Sequence, residues 1–220
     1  MREVLPGLWH WQSRHPDWAE GEPWHPEVSS YALDDRVRLV LFDPLAVPSS
    51  ITELAADREP VIVLTAPWHE RDTRGLVERL GATVYTPPAD TQEDLMQKYG
   101  VTAEQAAGGS PDLGWLRDDT SVKSHFYLAG DELPFGAGAF PGREHNDLVL
   151  WIESRRAVVA GDSLADFGGG LGIQPDWLRD GVTREQVAEG LCPLLQLPVE
   201  VVLPAHGEPT DRAALERALA

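Results

Sequence analysis

Four short segments concentrate side chains that can bind a metal ion or move protons near neutral pH. Thr65-Ala66-Pro67-Trp68-His69-Glu70-Arg71-Asp72 follows the apolar run 60–64, and Gly161-Asp162-Ser163 follows the apolar run 157–160. Leu203-Pro204-Ala205-His206-Gly207 follows 199–202, and Pro141-Gly142-Arg143-Glu144-His145-Asn146-Asp147 precedes Leu148-Val149-Leu150-Trp151. An imidazole can serve as general base, general acid or metal ligand in this range. A carboxylate can coordinate a divalent cation; a guanidinium cannot, because it stays protonated and has no acceptor. The histidines and carboxylates of these segments, His69, Glu70, Asp162, His206 and His145, are the side chains there that such chemistry would draw on. Arg71, Arg143 and Trp68 are candidates for contacting a ligand, the two arginines an anionic one.

Each residue also has a plainer role open to it. His69 can be a loop histidine donating to a carbonyl, Glu70 a salt-bridge partner, and Asp162 a cap for its own turn. Gly207 allows close backbone approach beside His206. Glu144-His145-Asn146-Asp147 reads as an exposed polar turn. His10, His15, His25 and His125 fall outside the four segments, so core or surface roles are expected for them. Gly168-Gly169-Gly170 reads as a flexible loop and does not match a phosphate-binding fingerprint.

The scaffold that must position these segments is legible in outline. Strand signals run over 4–12, 28–33 and 36–42, with Asp34-Asp35 turning the last two into a hairpin. Asp43-Pro44 stops the third strand, because proline has no amide for the ladder. Ser49-Ser50-Ile51-Thr52-Glu53 predicts a helix start capped by serine. The run 60–64 predicts a strand buried on both faces, 72–80 a helix closed by Gly81, and 82–86 a second buried strand. That βαβ order puts the His69 loop at the carboxyl end of a strand, where open α/β sheets place ligands. Residues 88–120 are expected to form a helical insertion, with a capping box at Thr91-Gln92-Glu93-Asp94. Strands are expected at 123–129, 147–153, 156–160 and 199–203, and helices at 183–195 and 211–219. Strand-rich sections that each end in helices predict an α/β chain of two packed sheets with helices outside, one domain over 1–220.

The order and spacing of the four segments resemble the metallo-β-lactamase-fold hydrolases over nearly the whole chain. That family carries Thr-His-x-His-x-Asp-His after a strand, then a Pro-Gly-His segment, a Gly-Asp turn and a late Pro-x-His-Gly turn. The resemblance implies an αββα sandwich of two mixed β-sheets with a site at one edge between them. It also implies one or two zinc, iron or manganese ions that activate bound water. Early loops often wall the cleft in this fold, and Trp9, Trp11, Trp18 and Trp24 cluster in the early part of this chain. Aligned from Leu64-Thr65, Ala66 and Trp68 stand where the first two histidines would, Glu70 replaces the aspartate, and Arg71 replaces the third histidine. Arg143 stands at the Pro-Gly-His ligand position, while Asp162 and His206 match the family. This pattern does not predict the full two-metal site. It leaves a reduced one-metal site completed by His69, Glu70 or His145, or a metal-free pocket with Arg71 and Arg143 in place of the metal.

Composition narrows the partners. The 220-residue chain carries 36 acidic and 18 basic residues, a net charge of -18. Its only lysines are Lys98 and Lys123, so no basic groove is available and a nucleic-acid partner is not expected. No apolar run approaches the roughly 20 residues of a membrane helix. The N-terminus lacks a signal-peptide core, so a cytoplasmic protein is expected. Cys192 is the sole cysteine, which rules out an internal disulfide and a multi-thiolate zinc site. The expected function is hydrolysis of a small ester, thioester or lactone at a one-metal site. The alternative is a metal-free small-molecule-binding or regulatory protein.

Overall fold

The computed structural model describes residues 1–107, 113, 115–116, 121–179 and 181–220, except the side chains of 98, 99 and 107. Thirteen strands among them form two sheets, each ordered almost as the chain runs. The first holds β1 (Arg2–Leu5), β2 (Leu8–Arg14), β3 (Glu27–Asp34), β4 (Arg38–Phe42), β5 (Glu59–Val63), β6 (Thr83–Thr86) and β7 (Ser124–Phe126), in that order. The second runs β13 (Thr210–Asp211), β12 (Val201–Pro204), β11 (Ala157–Gly161), β10 (Asp147–Ile152), β9 (Ala137–Glu144) and β8 (Glu132–Leu133). The hairpins pair antiparallel; β4–β5–β6–β7 and β11–β12 pair parallel. Both sheets are therefore mixed, as expected.

Alternation along the strands builds the layers. Val40 and Phe42 of β4, and Val61 and Val63 of β5, face Leu148, Leu150 and Ile152 of β10 in the core between the sheets. Their neighbours Leu39, Leu41 and Ile62 point the other way, onto Leu76 of the helix α2 (Thr73–Leu80). On the far side, Val149, Trp151 and Val158 pack against Val187 and Leu191 of α5 (Arg184–Leu191) and Leu215 of α6 (Arg212–Ala218). A central strand apolar on both faces is what two-sided burial requires, and the order helix, sheet, sheet, helix follows.

Local signals explain most helix ends. Gly81 closes α2 in the left-handed region, and Thr91 and Asp94 form the expected capping box of α3 (Gln92–Tyr99). Thr183 with Gln186 boxes α5, and Asp211 caps α6. Four details differ from expectation. Residues 4–12 are not one strand, because Pro6-Gly7 turns β1 onto β2 with Gly7 at φ 75°. The short helix α1 (Ser49–Thr52) starts after Pro48 with no side-chain cap. Regular helix stops at Leu191, since Pro193 forces a tighter turn over Cys192–Gln196. Pro141, Gly142 and Arg143 lie within β9, not in a turn before β10. Of the helical insertion at 88–120, α3 and α4 (Ala103–Ala107) are seen; 108–112, 114 and 117–120 lie outside the described residues. Among the described residues, no helix is long and apolar enough to cross a membrane.

Candidate functional site

The parallel strands β4, β5, β11 and β12 bring their carboxyl ends together at one edge of the sandwich. Asp43 ends β4 in the left-handed region at φ 45°, and Arg71, in the loop after β5, does the same at φ 43°. Non-glycine residues rarely adopt this conformation, and it clusters at sites that the surrounding bonds over-determine. Those bonds are present. The Thr65 amide and hydroxyl donate to the two Asp43 carboxylate oxygens at 2.8 and 2.6 Å, and Arg71 Nη1 donates to the carbonyls of Ser29 and Asp43 at 3.0 and 2.6 Å.

His69 sits between two buried carboxylates. Its Nδ1 lies 3.0 Å from Asp43 Oδ2 and its Nε2 lies 3.2 Å from Asp162 Oδ1. Burial alone would push its pKa down, but the Asp43 and Asp162 charges override this and raise it to about 9. It is an imidazolium at neutral pH, a fixed cation and no longer a free base. His206 reaches the same Asp162 oxygen with Nε2 at 3.5 Å. There burial dominates the Asp162 attraction and lowers the pKa to about 4, so this imidazole is neutral. For Asp162, burial is outweighed by His69, then His206 and Arg143, which hold its carboxyl well below the ordinary range.

Arg143 completes the cluster from β9. Its Nε donates to Asp147 at 2.9 Å, Nη1 to the Trp177 carbonyl at 2.5 Å, and Nη2 reaches Asp162 Oδ2 at 3.4 Å. The guanidinium also packs on the rings of Trp68 and Trp177, 5.4 and 5.5 Å from their centroids. Trp68 Nε1 donates to Asp162 Oδ2 at 2.9 Å, so an indole and a guanidinium share that oxygen. Gly142 is required beside them, since a Cβ there would run into Asp147 O and Ser163 Oγ.

A cavity of about 290 Å³ opens over this cluster, and Trp24, Trp177 and His15 join the cluster's own side chains in lining it. Arg71, Arg143 and protonated His69 line it beside Asp162, with the Asp43 and Asp147 carboxylates 3.0 and 2.9 Å from His69 and Arg143.

Six expected site residues, Trp68, His69, Arg71, Arg143, Asp162 and His206, thus line one cavity. The other two do not. Glu70 is turned away and accepts from Trp115 Nε1 at 2.8 Å. His145 stands in the turn between β9 and β10 with 48% of its side chain exposed and Nε2 3.5 Å from Asp90. As ligands or catalytic groups both are corrected. Glu70 is held outward by Trp115 and His145 stands on the exposed turn beside Asp90, so neither side chain lines the cavity. Asp43, Asp147, Thr65 and Trp177 were missed as site residues, and His15 was expected in a core or surface role. Asp43 carried a signal, because it follows the apolar run 39–42 just as Asp162 follows 157–161.

Known structures share this arrangement of elements. A protein named TTHA1623, solved in a di-iron-bound form, is 24% identical and superposes with a TM-score of 0.57 over 90% of this chain and 95% of its own. ST1585 from Sulfolobus tokodaii, described as an archaeal metallo-β-lactamase superfamily protein, gives 18% and 0.63 over 97% and 84%. The DIM-1 metallo-β-lactamase gives 14% and 0.66 over 99% and 93%. This is the metallo-β-lactamase fold. No family profile and no curated protein matches the sequence. Within the metallo-β-lactamase fold, these identities carry the architecture and leave the chemistry to this chain's own residues.

Those residues do not fit a metal ion as they stand. Among the described residues, no three His, Cys, Asp or Glu side chains converge on a point that could hold one. Arg143 takes the place of one ligand of the metallo-β-lactamase pattern, and Ala66 and Trp68 have no donor to offer a cation. The cationic charge a metal would bring beside Asp162 is supplied by His69 and Arg143.

Proposed function

We propose that this protein binds an anionic small molecule without a metal, in a pocket where Arg71 and Arg143 stand in place of the ion. The observation that carries the reading is the Arg143 guanidinium, bonded to Asp147, in ion-pair contact with Asp162 and clamped by two indoles at the ligand position of the fold. The cationic side chains of Arg71 and Arg143 on the cavity wall support an anion as the ligand, because charges lining a cleft with low-dielectric walls focus their field there. Elemental mass spectrometry on untagged protein purified without chelators tests it. The expected result is no stoichiometric metal, before or after incubation with zinc, iron(II) or manganese(II). One metal per chain, lost in an Asp162→Ala, His206→Ala double variant, would overturn it.

That same outcome would favour a second reading, metal-dependent hydrolysis of a small ester, thioester or lactone at a one-metal site. One observation supports it. Asp162 Oδ1 is buried and makes no hydrogen bond, although the Nε2 atoms of His69 and His206 approach within 3.2 and 3.5 Å. A carboxylate oxygen beside two imidazole nitrogens offers donor types that zinc accepts. TTHA1623, of the same fold, has been solved with two irons bound.

A further inference from the structure

Building on the metal-free reading, we propose that the pocket is specific for a flat aromatic carboxylate, gripped through the unbonded edge of Arg71 and held between tryptophan rings. Arg71 lines the cavity, yet both of its hydrogen bonds leave from Nη1, and its Nε is buried with no partner. An unpaired buried donor on a charged group costs more than a neutral one, so its edge calls for an acceptor. The Nε side of a guanidinium presents two parallel N–H groups, spaced to fit both oxygens of one carboxylate. Arg143 has no such edge to give, since its Nε, Nη1 and Nη2 already meet Asp147, Trp177 O and Asp162. The two arginines therefore divide the work. Arg143 neutralises the fold's own carboxylates, and Arg71 reads the ligand's.

Charge and shape fix the rest. Asp162 lies on the same wall and repels a second negative charge, which favours a monoanion over a phosphate dianion. A volume of about 290 Å³ equals roughly ten water-sized groups at about 30 Å³ each, the scale of a single ring with its carboxylate. The remaining wall is aromatic. Trp24, Trp68 and Trp177 are all half-buried, and Trp24 meets the His15 and His206 rings at 84° and 75°, a box of perpendicular faces. A further aromatic ring can pack edge-to-face or offset-stacked against these. His206, 6% exposed and with Nδ1 unpartnered, adds one polar contact beside the ring.

Isothermal titration of the full chain, in phosphate-free buffer, tests this with benzoate, benzamide, acetate and inorganic phosphate as probes. Benzoate is expected to bind at least tenfold more tightly than each of the others. Arg71→Lys keeps the charge but loses the fork, and should weaken benzoate at least tenfold with the melting temperature followed in parallel. Trp24→Ala lies on a surface loop and keeps Arg71 intact, so it should weaken benzoate and leave acetate unchanged. Phosphate or acetate binding as tightly as benzoate, benzamide matching benzoate, Trp24→Ala without effect, or no binding by any probe would overturn the assignment. The metal analysis stands apart from these outcomes. Anion binding without an aromatic preference defeats this inference alone, whereas stoichiometric metal defeats the metal-free reading beneath it.

Discussion

Removing the Arg143 guanidinium should reveal how dearly the buried carboxylates depend on it. Asp147 is wholly buried, and its Oδ2 accepts from Arg143 Nε at 2.9 Å and Ser163 Oγ at 3.1 Å. Arg143→Met keeps an apolar stem between Trp68 and Trp177 and deletes the charge. Breaking a buried pair by removing one partner costs about 3–5 kcal/mol. At roughly 3 °C per kcal/mol for a chain of this size, the melting temperature should fall by about 10–15 °C. Nearly all of this comes from Asp147, since 3.4 Å to Asp162 is too long for a strong charge-assisted bond. The loss should also depend on pH. Burial raises the Asp147 carboxyl to about 7 even with Arg143 opposing it, and without Arg143 it titrates higher still. A carboxyl whose folded pKa exceeds its unfolded value loses stability as pH rises toward the folded pKa. The gap between wild type and variant should therefore widen from pH 6 to pH 8.5. Adding Asp147→Asn removes the stranded charge and should restore most of the loss. Urea denaturation followed by tryptophan fluorescence at both pH values is the assay. A gap of equal size at pH 6 and 8.5, or a double variant no more stable than the single, would refute the reasoning.

Three further outcomes are expected. Gly142→Ala drives a Cβ into Asp147 O and Ser163 Oγ at the point where the β9–β10 register shifts, and should cost more than about 3 kcal/mol; a melting temperature within a few degrees of wild type would contradict this. His10 is 3% exposed and burial lowers its pKa to about 4, so the unfolded chain takes up this proton first. Its contribution is complete above pH 6.5 and is lost as pH falls toward 4, a change of about 3 kcal/mol that His10→Gln should flatten in stability measured against pH. Tyr127, buried at the end of β7, donates its hydroxyl to Leu64 O at 2.7 Å; Tyr127→Phe should lose about 1–2 kcal/mol in the same denaturation assay, and no loss would show that the carbonyl finds another donor.

Particular residues show why parts of the site were legible and others were not. Asp162 and His206 stand directly after short apolar strands, so local pattern alone puts them at the sheet edge. Asp43 has the same setting after β4 but reads equally well as a strand terminator beside Pro44. Its role appears only when Thr65 and His69 arrive from the neighbouring parallel strand. Strand β9 escaped notice because Gly138, Pro141 and Gly142 break the apolar pattern and one face stays partly open. Its pairing is dictated by the wholly buried β10 beside it, a long-range cause that local propensity does not contain. His15, Trp24 and Trp177 lie outside regular strands and α-helices, where no period marks which side chain turns inward.

The layers and the edge follow from local polarity alone. Alternation in β4, β5 and β10 depends only on the polarity of adjacent residues, and a run apolar on both faces has no stable place except between two layers. Residue identity alone also shows that Ala66, Trp68, Arg71 and Arg143 depart from the histidine-rich pattern the chain resembles. Only the tertiary structure decided how the charges pair. His69 is a cation because Asp43 and Asp162, distant in the chain, flank its two nitrogens. Arg143 is bound to Asp147 and Asp162, while Arg71 Nε is buried without a partner. Ionisation and pairing follow from distances of a few ångströms in a medium of low dielectric, and those distances are fixed only when loops from both sheets meet.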